Sequence, residues 1–339
     1  MRQFIRRYGK YYLPGFILLA VSAYFQVLTP RLLGEIIDSL NVPVAEIVSR
    51  DVYRQLGILM LVAIGAFASR FIWRYLIMGT SRYLEADLRL HLFEHLQKLP
   101  MQYYQYQKTG DLMAYAINDI GAIRQTLGPG LALSLNVLVM IFLSIGNMTT
   151  EVSPRLTAFA LIPVPIILTV VIIMGRQIRI RFRRVQEAFA SVSDRVQESI
   201  SGLSVIKAYG QEEEESHRFE ALNQRSRDAN LAMTRVAASM GPSVVLLFGI
   251  SFAISLVYGS HLVLQGDVSL GQFVAFNGLL TLIINPIRSV ARIINMMQRG
   301  LASYKRYQNV LSVEPAIQDH PDHLTKEDLP ERAAGHVQI

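Results

Sequence analysis

The chain has 339 residues, of which 51% are AVILMFWYC and only 17% charged, against about a quarter charged in an average soluble domain. Lys and Arg outnumber Asp and Glu by 33 to 26, a net charge of +7, and cysteine is absent. These figures exclude a disordered chain, a disulfide scaffold, a thiolate metal site and a thiol nucleophile. A membrane accounts for the basic excess more economically than nucleic acid does, so no nucleic-acid partner is expected.

In chain order, six apolar runs occupy residues 14–33, 55–78, 128–147, 156–175, 242–263 and 272–297, and none contains an Asp or Glu. About 20 residues at 1.5 Å rise cross a ~30 Å hydrocarbon core, so each run is long enough to span. The pattern predicts an all-α membrane protein with six long helices, against the alternative of buried helices in a large soluble protein. Arg2, Arg6, Arg7 and Lys10 ahead of the first run imitate the basic start of a signal peptide. That run continues through Leu28 and a second span follows a short polar loop, so an uncleaved first helix is expected.

The second run carries Arg70 and Arg74, four apart and therefore on one helix face. Counted from Gln55 they lie roughly 22 and 28 Å along the span. Charged groups at that depth are candidates for a substrate pathway, with snorkelling to headgroups as the competing reading, easier for Arg74 than for Arg70. Past this run, Leu84, Leu88, Leu92, Leu96 and Leu99 recur at helical spacing, as do Val185, Phe189, Val192, Val196 and Ile200 past the fourth. The connections 79–127 and 176–240 are too long for bundle turns, so the second and fourth helices are expected to run on roughly 30 Å beyond the bilayer.

Each extension is broken once. Leu99-Pro100 through Lys108-Thr109-Gly110-Asp111 reverses the first, with Thr109 or Asp111 as a candidate cap, and Gly202 with Tyr209-Gly210-Gln211 reverses the second. Two stalks result, whose tips suit docking to a soluble partner, the alternative being solvated turns. Pro163 and Pro165 in the fourth helix and Pro286 in the sixth are expected to bend them and to act as hinges.

On the sixth helix Asn277, Thr281, Asn285, Arg288, Arg292, Asn295 and Arg299 recur every three or four residues. Lipid cannot solvate such a face, so it lines a watery pathway or forms a polar seam between packed helices. Arginines without an acid near the inner mouth favour anionic or amphipathic cargo over cationic drugs. Tyr24, Phe25, Phe67, Phe71 and Phe276 are read as packing before they are read as pocket. Sorting Lys and Arg by connection gives 25 on the side of the termini and stalks against 3 on the other. By the positive-inside rule both termini are cytoplasmic and the chain is a multi-pass protein of the cytoplasmic (inner) membrane.

Three motifs then carry a family resemblance. Leu99-Pro100-Met101-Gln102-Tyr103-Tyr104 with Thr109-Gly110-Asp111-Leu112 and Asp119 resembles the first intracellular-loop pattern of ABC exporters. Glu198-Ser199-Ile200-Ser201-Gly202-Leu203, Val205-Ile206-Lys207-Ala208-Tyr209 and Glu215 to Phe219 resemble the second, and Val268 to Phe276 followed by Asn285-Pro286-Ile287 is similar to the entry into the sixth helix. The resemblance implies the six-helix transmembrane-domain fold of an ABC exporter, a dimer whose fourth and fifth helices cross to a second transmembrane domain, homo- or heterodimeric. It also implies two coupling helices, Tyr103, Tyr104, Gln105, Tyr106 and Gln107 in the first and Ala208, Tyr209, Gly210, Gln211 and Glu212 in the second, seated in nucleotide-binding domains. Export of drugs, lipids or peptides by alternating access follows from the same likeness.

The chain carries no G-x-x-x-x-G-K-[ST] phosphate cradle and no Leu-Ser-Gly-Gly-Gln; its one Gly-Lys pair is Gly9-Lys10. No catalytic site or cofactor is therefore expected in this chain, and ATP and Mg are expected in the missing nucleotide-binding domain. Residues 314–334 read as a linker and 335–339 as the start of that domain, cut short. The alternatives are an ion-coupled secondary transporter, which would want an acidic or His site near the midplane where the spans offer only His261 near one rim, and a membrane receptor or scaffold docking a cytoplasmic partner.

Overall fold

The computed structural model describes residues 2–40 and 49–315, with side chains described from Tyr8 and Tyr53 onward in the two stretches. The expected linker and terminal strand fall almost wholly in 316–339, outside the described residues. Everything described is helix or short turn.

The six apolar helices are present and most are far longer than a bilayer is thick. α1 (Arg2–Leu40) and α2 (Ser49–Leu96) are each unbroken, and α3 (Met101–Tyr106) is a single short helix at the first reversal. The third long helix comprises α4 (Thr109–Ala114), α5 (Ile120–Gln125) and α6 (Leu131–Glu151), joined by π-helical turns at Tyr115–Asp119 and Thr126–Gly130; α4 and α5 belong to the stalk. The fourth is α7 (Pro154–Leu161) and α8 (Pro163–Ser201), followed by the short α9 (Leu203–Ala208). The fifth is α10 (Glu212–Gln265), and the sixth divides into α11 (Leu270–Leu282) and α12 (Ile284–Leu311). The 48 residues of α2 extend about 72 Å, more than twice the ~30 Å of a hydrocarbon core, so the stalks are continuous with the spans as the sequence predicts.

Proline places the breaks. Pro163 is the first residue of α8 and Pro286 lies in the first turn of α12, where a missing N–H costs nothing because that donor has no intrahelical partner. The sixth helix therefore breaks at Ile283, three residues ahead of its proline. Ser153 caps α7, its hydroxyl accepting from the Leu156 N–H, and Ser269 with Gln272 forms a capping box on α11. The expected cap at the first reversal is not made: Lys108 holds the N-cap position without a side-chain bond, Thr109 is the first helical residue, and Asp111 sits in the first turn, where its charge complements the helix dipole.

Helices one, two, three and six pack together, while α8 and α10 form a separate arm, joined to the rest mainly through α7, α11 and the upper part of α12. One apolar core, with Phe276, Leu280, Leu156 and Ile167, lies at the end away from the tips. A second joins the stalks: Leu84, Leu88 and Leu92 are buried against Ile120, Ile123, Tyr307 and Val310. The corresponding stripe on α8 is covered only in part. Val185 is buried, but Phe189, Val196 and Ile200 are exposed, because α10 alone does not enclose that face.

At the far end α1 and α11 touch backbone to backbone. A Cβ at Gly34 would stand 2.4 Å from the Gly271 carbonyl oxygen, and one at Gly271 would stand 2.0 Å from the Gly34 oxygen. Asp38 closes the contact, accepting from the Gly271 N–H at 2.7 Å and the Ser269 hydroxyl at 2.5 Å. This clasp holds the half of the sixth helix farther from the tips to the first helix.

Candidate functional site

A cavity of about 500 Å³ opens between helices one, two, three and six, lined by Arg70, Arg74 and Arg292 together with Ser22, Gln26 and Asn136. Arg70 and Arg74 come from successive turns of α2, and Arg292 from α12 across the cavity. Among the described residues no carboxylate lies within ion-pair distance of any of the three. Arg74 has instead the Trp73 ring, 5.8 Å from its guanidinium carbon, and Arg292 a weak bond to the Ser289 hydroxyl at 3.4 Å. Trp73, Met78, Pro129, Ala132, Leu133 and Met296 give the cavity apolar walls.

The polar face of the sixth helix divides at Ile283. In α11, Asn277 turns toward helix five, accepting from the Ser255 hydroxyl at 3.0 Å, and Thr281 bonds back to the Asn277 carbonyl. That part is a seam between helices. In α12, Arg292 enters the cavity, Asn295 accepts from Arg179 of α8 at 3.5 Å, and Arg299 lines a second cavity of about 460 Å³ nearer the tips; Met296 borders both. Asn285 and Arg288 are exposed and line neither cavity. Phe276 is buried in the far core, and Phe67 and Phe71 stack on each other on the exposed face of α2, so none of these rings reaches the arginines.

In the second cavity Asp119, 6% exposed at the first π-turn, holds Arg306 of α12 through both carboxylate oxygens, and Arg306 also donates to Ser303. Burial raises the Asp119 carboxyl, but the bonds from Arg306 and Ser303 and the Arg306 charge outweigh it and hold the group below its ordinary value. At the second π-turn the Thr126 hydroxyl donates to the Met296 carbonyl at 3.0 Å, and Gly300 leaves room for it: a Cβ there would stand 1.9 Å from Thr126 Oγ1. Helix three thus adapts its winding to helix six where the two cavities meet.

Both stalk tips are short helices lying beyond the apolar spans. In α3 the rings of Tyr103 and Tyr104 meet edge to face at 5.5 Å, and the Tyr104 hydroxyl donates to the Leu96 carbonyl at 2.5 Å. Tyr106, 87% exposed, and Gln105 face outward, and Gln107 is the C-cap. The second short helix is Leu203–Ala208, five residues ahead of the expected stretch; Tyr209 is its C-cap, Gly210 turns the chain with φ 61°, and Glu212 begins α10. Its footing is tied across the stalk: Glu215 accepts from the Ser199 hydroxyl at 2.5 Å and from Arg195, which also meets Glu198 at 2.9 Å. The Ser199 bond is the largest influence on the Glu215 carboxyl; burial opposes it, and the charge and bond of Arg195 with the charge of Arg218 add to it, so the group is held below its ordinary value.

Ser22, Gln26 and Asn136 are lining residues that the sequence does not single out, since isolated polar residues in apolar helices carry no pattern. Gly9-Lys10 lies within α1, where the backbone N–H groups are committed to the helix, so it offers no phosphate cradle.

These features define a polytopic helical domain with an open, arginine-lined cavity between its helices and two projecting tips. The family model described as the ABC transporter transmembrane region matches residues 12–287, and the chain belongs to that family. It is 30% identical over 316 residues to the multidrug resistance-like ATP-binding protein MdlA of Escherichia coli (strain K12), covering 93% of this chain and 53% of that protein. It is 32% identical over 319 residues to the probable multidrug resistance ABC transporter ATP-binding/permease protein YheI of Bacillus subtilis (strain 168), covering 93% and 54%. Against the ATP-dependent lipid A-core flippase of Syntrophus aciditrophicus (strain SB) it is 25% identical over 264 residues, covering 73% and 43%. The chain spans about half the length of these relatives.

Proposed function

We propose that this chain is the substrate-translocating half of an ATP-driven exporter, moving amphipathic small molecules, lipids or peptides from the cytoplasm or inner leaflet by alternating access. ATP and Mg would be bound by nucleotide-binding domains, which this chain's residues do not supply. The observation that carries the reading is the pair of tips, α3 and α9, held well beyond the apolar spans: α3 through the unbroken α2, which also forms a wall of the cavity, and α9 through the long helices α8 and α10 of the neighbouring arm. A stiff helix transmits a displacement that a flexible loop would absorb, so the tips are where soluble domains would bias the two states of the cavity. The uncovered apolar residues Phe189, Val196 and Ile200 on α8 suit burial by a second transmembrane domain. The basic stalk-side connections support tips and termini on the cytoplasmic side.

The test is ATP hydrolysis by the full-length gene product in lipid, with a panel of drugs, lipids and peptides, alongside uptake into inverted vesicles. Cargo-stimulated hydrolysis and ATP-dependent uptake are expected. Uptake driven by a pH gradient without nucleotide, or stalks that bind a signalling protein while no cargo moves, would overturn it.

A further inference from the structure

The three arginines of the 500 Å³ cavity are its most unusual feature. Arg70 stands 16 residues after Arg54 and 12 before Arg82, roughly 24 and 18 Å along α2 from the nearest charged residues of that helix outside the cavity. A guanidinium at that depth is tolerated where it is paired or faces a water-filled cavity, and Arg70, Arg74 and Arg292 are all exposed where they line this one. Several arginines of the stalks are paired with carboxylates: Arg124 and Arg89 with Glu85, Arg195 with Glu215 and Glu198, and Arg306 with Asp119. Arg70, Arg74 and Arg292 have no such partner among the described residues, though they share one cavity.

Ser22 supplies an independent observation. It is 2% exposed, lines the same cavity, and its hydroxyl has no hydrogen-bond partner. Buried hydroxyls are nearly always satisfied. Gln26, one turn on, spends its amide N–H on the Ser22 carbonyl at 3.1 Å and leaves its own oxygen uncommitted. Three arginines and the polar Ser22, Gln26 and Asn136 thus line one space whose other walls are apolar, Trp73, Met78, Leu133 and Met296 among them.

We infer that this cavity is a binding site for the anionic head, of phosphate type, of an amphipathic ligand, with Arg70, Arg74 and Arg292 on its oxygens, Ser22 donating a further bond, and the apolar walls taking the start of its tail. The inference rests on the transport reading for its purpose but not for its measurement. Guanidinium forks match the tetrahedral oxygens of a phosphate, and a head of two negative charges neutralises most of the trio, whereas a quaternary ammonium is repelled. Because α2 and α12 both contribute, the head would bridge two helices.

Trp73 is the single tryptophan of this chain and lines the cavity, so it reports occupancy. The full-length transporter in neutral phosphatidylcholine nanodiscs is titrated with lysophosphatidate brominated near the head, with tail-matched lysophosphatidylcholine, and with a tail-matched trimethylammonium amphiphile. The expected result is saturable quenching by lysophosphatidate, absent in Trp73→Phe, and at least tenfold weaker for the cation. Each of Arg70→Gln, Arg74→Gln and Arg292→Gln weakens the anion about tenfold, the effect of losing one charge-assisted contact, while Arg→Lys at the same sites recovers part of it. Displacement by glycerol 3-phosphate assigns the site to soluble organic phosphates; competition only by tailed phosphates assigns it to lipids. Equal quenching by cation and anion, or unchanged anion affinity in all three single Gln variants, overturns the inference. Saturable quenching without cargo movement leaves this site standing and removes the transport reading. Transport indifferent to charge, with no quenching, does the reverse.

Discussion

Replacing Asp119 by Asn keeps its shape and removes its charge at the point where helices three and six meet below the cationic cavity. The carboxylate is buried and receives two bonds, both from Arg306, which also donates to the Ser303 hydroxyl. Hydrogen bonds to a charged group contribute about 1.5–3 kcal/mol, and the half-exposed Arg306 guanidinium reduces that through solvent screening, so a net loss of about 1–2 kcal/mol is expected. For a domain of this size that lowers the melting temperature by about 2–5 °C. Because the folded carboxyl is held below its unfolded value, the stabilisation is fully present above about pH 4 and is lost as pH falls through the folded value. The assay is thermal unfolding in detergent at pH 7 of the parent, Asp119→Asn, Arg306→Gln and the double variant. A coupling energy near 1 kcal/mol or more is expected. Strictly additive single losses would refute the reasoning, since the two side chains would then not act as a pair.

Three further outcomes follow from other contacts. Glu215→Gln removes the charge that ties α9's footing to α8, so hydrogen exchange across 203–211 should quicken while that across the spans stays as it was; uniform protection would contradict the tie. The tie in the parent should fade only as pH falls below the ordinary glutamate range, near pH 4, since its folded pKa is lowered. Gly271→Ala forces a Cβ into the Gly34 carbonyl and the Asp38 carboxylate, and should cost about 1–3 kcal/mol of stability by separating α1 from α11; an unshifted melting curve would count against the clasp. Tyr104→Phe, which loses only the hydroxyl bond to Leu96, should reduce cargo stimulation of ATP hydrolysis more than basal hydrolysis, and equal loss of both would point to a merely structural role.

Long, strongly periodic features were legible in the sequence. The six spans, the unbroken stalks and the leucine stripe from Leu84 to Leu99 follow from hydropathy and helical spacing alone, and the structure contains each of them. Arg70, Arg74 and Arg292 stood out because charge within an apolar run has few explanations, and all three line one cavity. What depends on the packing of distant segments was not legible. The π-turns of helix three answer to Met296 and Arg306, 170 and 187 residues away. Asn277 has the same spacing as Arg292 but lies beyond the break at Ile283, which rotates the two halves of the stripe onto different neighbours. The second tip helix begins directly after Gly202, a stop that outranked the more conspicuous Gly210. The stripe on α8 was read correctly as amphipathic, but one chain does not bury it.

The central claim is that α3 and α9 are where soluble domains grip the membrane domain. This chain contains no cysteine, so Tyr106→Cys and Tyr209→Cys, both at outward-facing positions, become single reactive sites once any cysteine elsewhere in the full-length protein is replaced by serine. In the full-length protein, cross-linking from these two positions with a short bifunctional reagent, mapped by mass spectrometry, should join each tip to a nucleotide-binding domain and change in yield with ATP. Cross-links confined to the spans, or yields that ATP leaves unchanged at both tips, would contradict the account.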